Sequence, residues 1–247
     1  MMSTLDKQNA IPLYIQLKRR LEAQFADGTF PAHSRVPSER ELSEQYAISR
    51  MTARQALSEL IQEGRLYTSR GKGTFVAEPK IKQNLQALTS FTEDMRARGL
   101  EPTTRVVRRE LAFASPDVAQ SLRVDEGSQV VCLERLRLAD DEPMALETAY
   151  LSFAGAEQLM LIDLGGSLYA ALRDLFGIIP AEAIQEFEAR LARPREYTLL
   201  KLGECAPMLT IQRTTFDVNN RPFEYVRSVY RGDRYRFVAR LTREEQR

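Results

Sequence analysis

At 247 residues, 43% hydrophobic and 28% charged, the chain suits two modest globular domains and is not disordered. Its 35 Lys plus Arg nearly cancel 34 Asp plus Glu, leaving a formal charge of +1, so a nucleic-acid partner must be signalled by local placement of cations. A single histidine, His33, and two isolated cysteines, Cys132 and Cys205, count against metal sites, Ser-His catalysis and a disulfide framework.

The N-terminus, MMSTLDKQNAIPLY, lacks the apolar core of a signal peptide, and no apolar run reaches membrane-spanning length. The expectation is a cytoplasmic protein without membrane contact. From Pro12 the pattern is helical: Leu13, Leu17, Leu21 and Phe25 recur every four residues, and Asp27-Gly28 with Pro31 ends the helix. Ser38 with Glu41 forms a capping box that starts a second helix, reaching about Tyr46. A short break leads to Ser49, the cap of a third helix that turns Ala53, Ala56, Leu57 and Leu60 inward and stops at Gly64. Two extended runs, 66–68 and 73–76, flank Ser69-Arg70-Gly71-Lys72 and read as a hairpin with a basic tip. Residues 1–76 form one domain, and the polar stretch 77–88 reads as a linker.

The remainder, 89–247, alternates strands and helices. Ser90 with Glu93 opens a short helix closed by Gly99. Strands are expected over 104–113, 129–138, 144–152, 208–217, 223–231 and 235–241, and helices over 116–122, 167–176 and 194–202. The stretch 181–192 fits either, with strand preferred. Two hairpins turn at Asp140-Asp141-Glu142-Pro143 and Asn219-Asn220-Arg221-Pro222, a similarity that hints at a decayed repeat.

Helix, short break, helix is the layout in which the second helix enters the major groove. Its start is Ser49-Arg50-Met51-Thr52-Ala53-Arg54, and Arg50 and Arg54, four apart, project from one side. Arginine is shaped for bidentate contact with guanine or phosphate. Ser38, Arg40, Ser49 and Thr52 are placed for further backbone or base contacts, and Arg70, Gly71 and Lys72 for phosphate or the minor groove. Alone, the two arginines fit a solvated helix face; the caps, the break and the basic hairpin, in that order, favour DNA. Gly71-Lys72-Gly73-Thr74 is not a P-loop, since the lysine precedes glycine and no helix follows.

The segment VPSERELSEQYAISRMTARQALSELIQEGRLYTSRGKGTFV resembles the GntR superfamily of bacterial regulators across the whole first domain. The second domain resembles the UTRA sensor of the HutC subfamily through LTSFTEDMRARG, ERLRLADDEPMALETAYL and FEYVRSVYRGDRYRFV, and is most similar to repressors of N-acetylglucosamine utilisation. The resemblance implies an α+β architecture: a winged helix-turn-helix, then an antiparallel sheet with flanking helices, like chorismate lyase. It also implies a homodimer on a pseudo-palindromic double-stranded DNA operator, released by a sugar-phosphate effector, with no cofactor. N-acetylglucosamine 6-phosphate and glucosamine 6-phosphate are the expected ligands, with a non-amino-sugar effector as the alternative.

Arg135 and Arg137 leave the same face of their strand as Val131 and Leu133. Two cations beside apolar residues need a counter-charge, from protein carboxylates or a bound anion. Ser167, after Gly165-Gly166, caps a helix start that suits an anion. The resemblance implies that Arg135, Arg137, Ser167 and Tyr169 hold the phosphate, that Glu147, Glu224 and Tyr230 face the sugar, and that Ser90-Phe91-Thr92 closes over it. The plainer readings are a cross-strand Arg135–Glu147 ion pair and a serine that only caps. Two rivals remain, an enzyme of lyase-like fold fused to a DNA-binding domain and an architectural DNA protein with an inert second domain.

Overall fold

The computed structural model describes residues 5–69, 71–85, 88–203 and 205–241. Contacts divide the chain into two compact units, 1–80 and 81–247.

In the first unit, helix α1 (Leu13–Ala26) buries Leu17 and Leu21 and leaves Leu13 and Phe25 partly covered, the stripe expected from the four-residue spacing. Helix α2 (Glu39–Tyr46) starts at Ser38 with both halves of the capping box formed. It ends on Ala47, whose left-handed backbone (φ 50°) turns the chain sharply. Ile48 is buried in that turn, which docks α2 against helix α3 (Arg50–Gln62). Ala53, Ala56, Leu57 and Leu60 of α3 face the core. Strands β1 (Leu66–Ser69) and β2 (Gly73–Val76) pair antiparallel as the wing. The expected basic tip includes Arg70, which lies outside the described residues; Gly71 and Lys72 are exposed.

The second unit opens with β3 (Ile81–Asn84), inside the stretch that reads as linker. It pairs in parallel with β10 (Tyr235–Val238), which is shorter than the expected 235–241. Helix α4 (Phe91–Arg96) carries a second complete capping box, Ser90 with Glu93. Six strands then form one antiparallel sheet: β4 (Pro102–Phe113), β5 (Gln129–Ala139), β6 (Glu142–Leu151), β7 (Pro180–Leu191), β8 (Pro207–Asp217) and β9 (Pro222–Arg231). Their order is β4-β5-β6-β9-β8-β7. Asp140 and Asp141 both take positive φ (48° and 62°), the geometry that lets a tight turn match strand twist. The two sequence hairpins lie side by side, joined through β6 and β9.

Both sheet faces are covered, so β5 is buried almost throughout. Helix α6 (Leu168–Phe176) and a 3-10 turn (Ala156–Met160) cover the face carrying Val131, Leu133, Ala149 and Val226. Helices α5 (Pro116–Leu122) and α7 (Pro194–Leu199) cover the other face, around Val130 and Leu136. The 181–192 stretch, ambiguous by pattern, is the edge strand β7 as far as Leu191.

Candidate functional site

In the first unit, α3 presents Arg50, Met51 and Arg54 to solvent while its opposite face fills the core. Ser49 accepts the Thr52 backbone N–H at 3.0 Å, and the two hydroxyls lie 2.8 Å apart. That contact fixes the first turn, where unpaired backbone N–H groups favour an anion. The Arg54 Nε sits 3.9 Å from a Glu39 carboxylate oxygen, a loose surface pair that leaves the guanidinium available. Ser38 is committed to its cap: its backbone N–H and hydroxyl both donate to Glu41 at 2.7 Å. Those two bonds, the hydroxyl first, hold the Glu41 carboxyl below its ordinary value. Arg40 is exposed on α2. At the wing, Gly73 takes φ 117°, and a β-carbon there would come within 3.2 Å of Arg35 Nε. Glycine is therefore favoured at that position by its backbone conformation, and a β-carbon would also have to displace the Arg35 side chain.

In the second unit, adjacent strands bring charged groups together on the sheet face covered by α4 and α6. Arg135 on β5 and Glu147 on β6 are register partners and form a buried ion pair. Arg137, two residues on, donates to the Thr92 hydroxyl at 3.0 Å and lies 4.7 Å over the Phe91 ring. Helix α4 thus closes over the arginines. Glu224 on β9 accepts from Tyr169 of α6 at 2.8 Å and from Thr215 of β8 at 3.0 Å. Ser90, Phe91, Arg135, Arg137, Glu147, Leu168, Tyr169, Arg213 and Glu224 surround one cavity. An adjoining cavity shares Phe91, Glu147 and Arg213 with it and is lined further by Tyr230, Tyr235 and Gln83. Tyr230 therefore stands one compartment away from Arg137. Ser167 caps α6 by accepting the Ala170 N–H at 3.3 Å and is absent from the lining of both cavities.

Arg213 is the site residue that the sequence reading did not pick out. It lies on β8 with its guanidinium 5.9 Å over the Tyr169 ring. It shares a strand face with Ile211 and Thr215, so the argument applied to Arg135 also reaches it: a cation among inward positions of a strand.

Burial alone would raise the Glu147 carboxyl, but the guanidiniums of Arg135, Arg137 and Arg213 outweigh it and hold the group at about 2. Burial and the neighbouring Arg135 pull Arg137 down to about 10. Burial, with Glu147 adding to it, pushes the Glu224 carboxyl up. Burial, followed by Glu147, raises the Tyr230 hydroxyl to about 12. The cluster thus sets three guanidiniums against two carboxylates, one of them biased toward its neutral form. Nε and Nη1 of Arg135 and of Arg137, and Nε of Arg213, are buried with no hydrogen-bond partner. Buried donors left unpaired are costly, and an anion in the cavity would satisfy them.

Residues 13–76 match the family model of bacterial regulatory proteins of the gntR family, and residues 97–236 match the UTRA domain. The HTH-type transcriptional repressor NagR of Bacillus subtilis is 42% identical across 97% of this chain and 98% of its own length. The histidine utilization repressor of Pseudomonas putida is 32% identical, covering 94% and 93%. Among solved structures, PhnF from Mycobacterium smegmatis superposes with a TM-score of 0.65 at 34% identity, covering 94% of this chain and 99% of that one. These relatives are regulators rather than enzymes. Among the described residues no helix is long and apolar enough to cross a membrane. With a helix-turn-helix in front and a UTRA domain behind, the chain belongs to the GntR family of bacterial regulatory proteins, as a transcriptional repressor of the HutC class.

Proposed function

We propose that the second unit binds a phosphorylated amino sugar, N-acetylglucosamine 6-phosphate or glucosamine 6-phosphate, and that binding lowers affinity for the operator. The observation that carries this reading is the excess of buried guanidinium over carboxylate around one cavity, with N–H donors left unpaired. A phosphate supplies both the negative charge and acceptors for charge-assisted bonds. Arg135, Arg137 and Arg213 hold that phosphate, with Tyr169 alongside. Glu147, Glu224 and, from the adjoining compartment, Tyr230 receive the sugar hydroxyls and amino group. Ser90, Phe91 and Thr92 close the cavity. Ser167 takes part through the backbone N–H groups that its cap orders at the start of α6, since its hydroxyl is already engaged. The similarity to NagR across nearly the whole chain supports the same ligand class.

On the DNA side, Arg50 and Arg54 read base edges, with Ser49, Thr52, Arg40 and Ser38 near the backbone. Lys72 and Gly71 follow the adjacent groove from the wing. A homodimer presents two such units to a two-fold operator, since a single half-site is too short for gene-level specificity. Calorimetry with glucosamine 6-phosphate, N-acetylglucosamine 6-phosphate and the two unphosphorylated sugars tests the ligand. The phosphorylated member of each pair should bind far more tightly; equal affinities would discard the phosphate site.

A further inference from the structure

Helix α3 carries a large apolar side chain that its own domain does not use. Met51 is 69% exposed, against 39% for Tyr67 and 38% for Ile61, the next most exposed large apolar groups among the described residues of the first unit. It takes no part in that unit's core, which α3 supplies with Ala53, Ala56, Leu57 and Leu60. Met51 stands in the first turn of the helix, between Arg50 and Thr52. Arg54 and Gln55, both exposed, follow it by three and four residues, so the three are neighbours on one helix face. Ser49 fixes this turn through the Thr52 N–H. The backbone that carries Met51 is therefore ordered, while its side chain meets mainly solvent.

We propose that Met51 reads the methyl group of a thymine in the operator half-site, beside the base edges taken by Arg50 and Arg54. This rests on the reading of α3 given above and adds an A·T position to it. The first turn of the second helix is the part that reaches base edges. There the arginines pair with acceptors, those of guanine above all. The apolar feature that the major groove offers is the C5 methyl of thymine, which also tells T·A from A·T. Contact takes the thioether and the methyl out of water together. Methionine suits the task, because its unbranched, polarizable chain adapts to a small apolar target. Phosphates offer such a side chain no partner, so Met51 contributes to the choice of sequence and not to general affinity for DNA.

The test uses operator duplexes selected from random DNA by the full-length protein. Each thymine of the half-site is replaced singly by deoxyuridine, which lacks only the methyl, and affinity is read by fluorescence anisotropy at fixed salt. At one position the wild type should lose about fourfold, the scale of burying a single methyl-sized group. Met51→Ala should bind the unmodified operator more weakly and be indifferent to that same replacement. It should bind random DNA as the wild type does. It should also fold, since the side chain is exposed and alanine is the better helix former. Selection repeated with Met51→Ala should relax the preference for thymine at that position alone. A wild type indifferent to every methyl, or a Met51→Ala protein that still loses about fourfold at the same thymine, overturns the assignment. If Arg50→Ala and Arg54→Ala also keep full operator affinity, α3 loses its reading role and Met51 falls with it. If they lose affinity while every methyl is silent, the role of Met51 alone is overturned.

Discussion

The Arg135 guanidinium is paired with Glu147 across the two strands, and under the proposed function an anion in the cavity competes with that carboxylate for it. Arg135→Ala should weaken sugar-phosphate binding at least about a hundredfold, since charge-assisted contacts to phosphate are among the strong ones, and leave operator binding intact. It should also cost about 3–5 kcal/mol of stability, because it strands a buried carboxylate. Removing Glu147 as well should recover much of that loss, which urea denaturation of the single and double variants will show. Glu147 also predicts a pH dependence. Its folded value of about 2 lies below the ordinary 4.5, so its contribution is fully present above pH 4.5 and is lost as pH falls toward 2. Stability measured across that window should fall less steeply in Glu147→Gln; an unchanged slope would deny the carboxylate its electrostatic anchoring. The strand pattern made Arg135 and Arg137 legible in the sequence, and the resemblance supplied Tyr169 and Glu224. Arg213 meets the same strand-face rule but stands alone on β8, without a second cation two residues away, and its charged neighbours come from α6, β6 and β9, so its local signal is weaker than that of the Arg135–Arg137 pair.

Helix α3 joins capping chemistry to recognition. Ser49 fixes its first turn, so the directions of Arg50 and Arg54 follow from backbone geometry. Arg50→Ala and Arg54→Ala should each cost about 1–3 kcal/mol in operator affinity if each arginine contacts a base bidentately. Lys72→Ala should instead weaken operator and random DNA alike, with a shallower salt dependence. Gel-shift titrations at fixed salt separate the two classes, and unchanged operator affinity in both arginine variants would remove α3 from the recognition role. The elements of this unit could be read from the sequence because their signals are local: Ser38 with Glu41, Ser49 before an apolar period, and Gly64 at a helix end. β3 could not. Its parallel partner, β10, lies some 150 residues further along the chain, and four mixed residues carry no period of their own, so the stretch reads as linker. The 3-10 turn at Ala156–Met160 is likewise too short to show a pattern.

For the whole molecule, regulation by an effector requires that the effector distinguish two states of the protein, since a ligand that binds both equally shifts nothing. A coupling of about 1–3 kcal/mol, the usual range for allosteric effects, changes operator affinity about 5- to 150-fold, and the same factor must appear in ligand affinity when operator is present. The buried cluster around Arg135, Arg137 and Arg213 gives the proposed function a physical reason for a ligand-dependent state. Its guanidiniums keep buried donors without a hydrogen-bond partner, and burial draws that of Arg137 down to about 10, so phosphate should order α4 and α6 around the cavity and raise the melting temperature. The most direct measurement is fluorescence anisotropy of a labelled operator bound to the full-length protein, titrated with N-acetylglucosamine 6-phosphate, glucosamine 6-phosphate and each unphosphorylated sugar. A phosphorylated amino sugar should release the operator while its unphosphorylated counterpart leaves the complex intact at the same concentration, and Arg135→Ala should abolish release without weakening operator binding. Release by the sugar and its phosphate alike, or undiminished release from the Arg135 variant, would contradict the account.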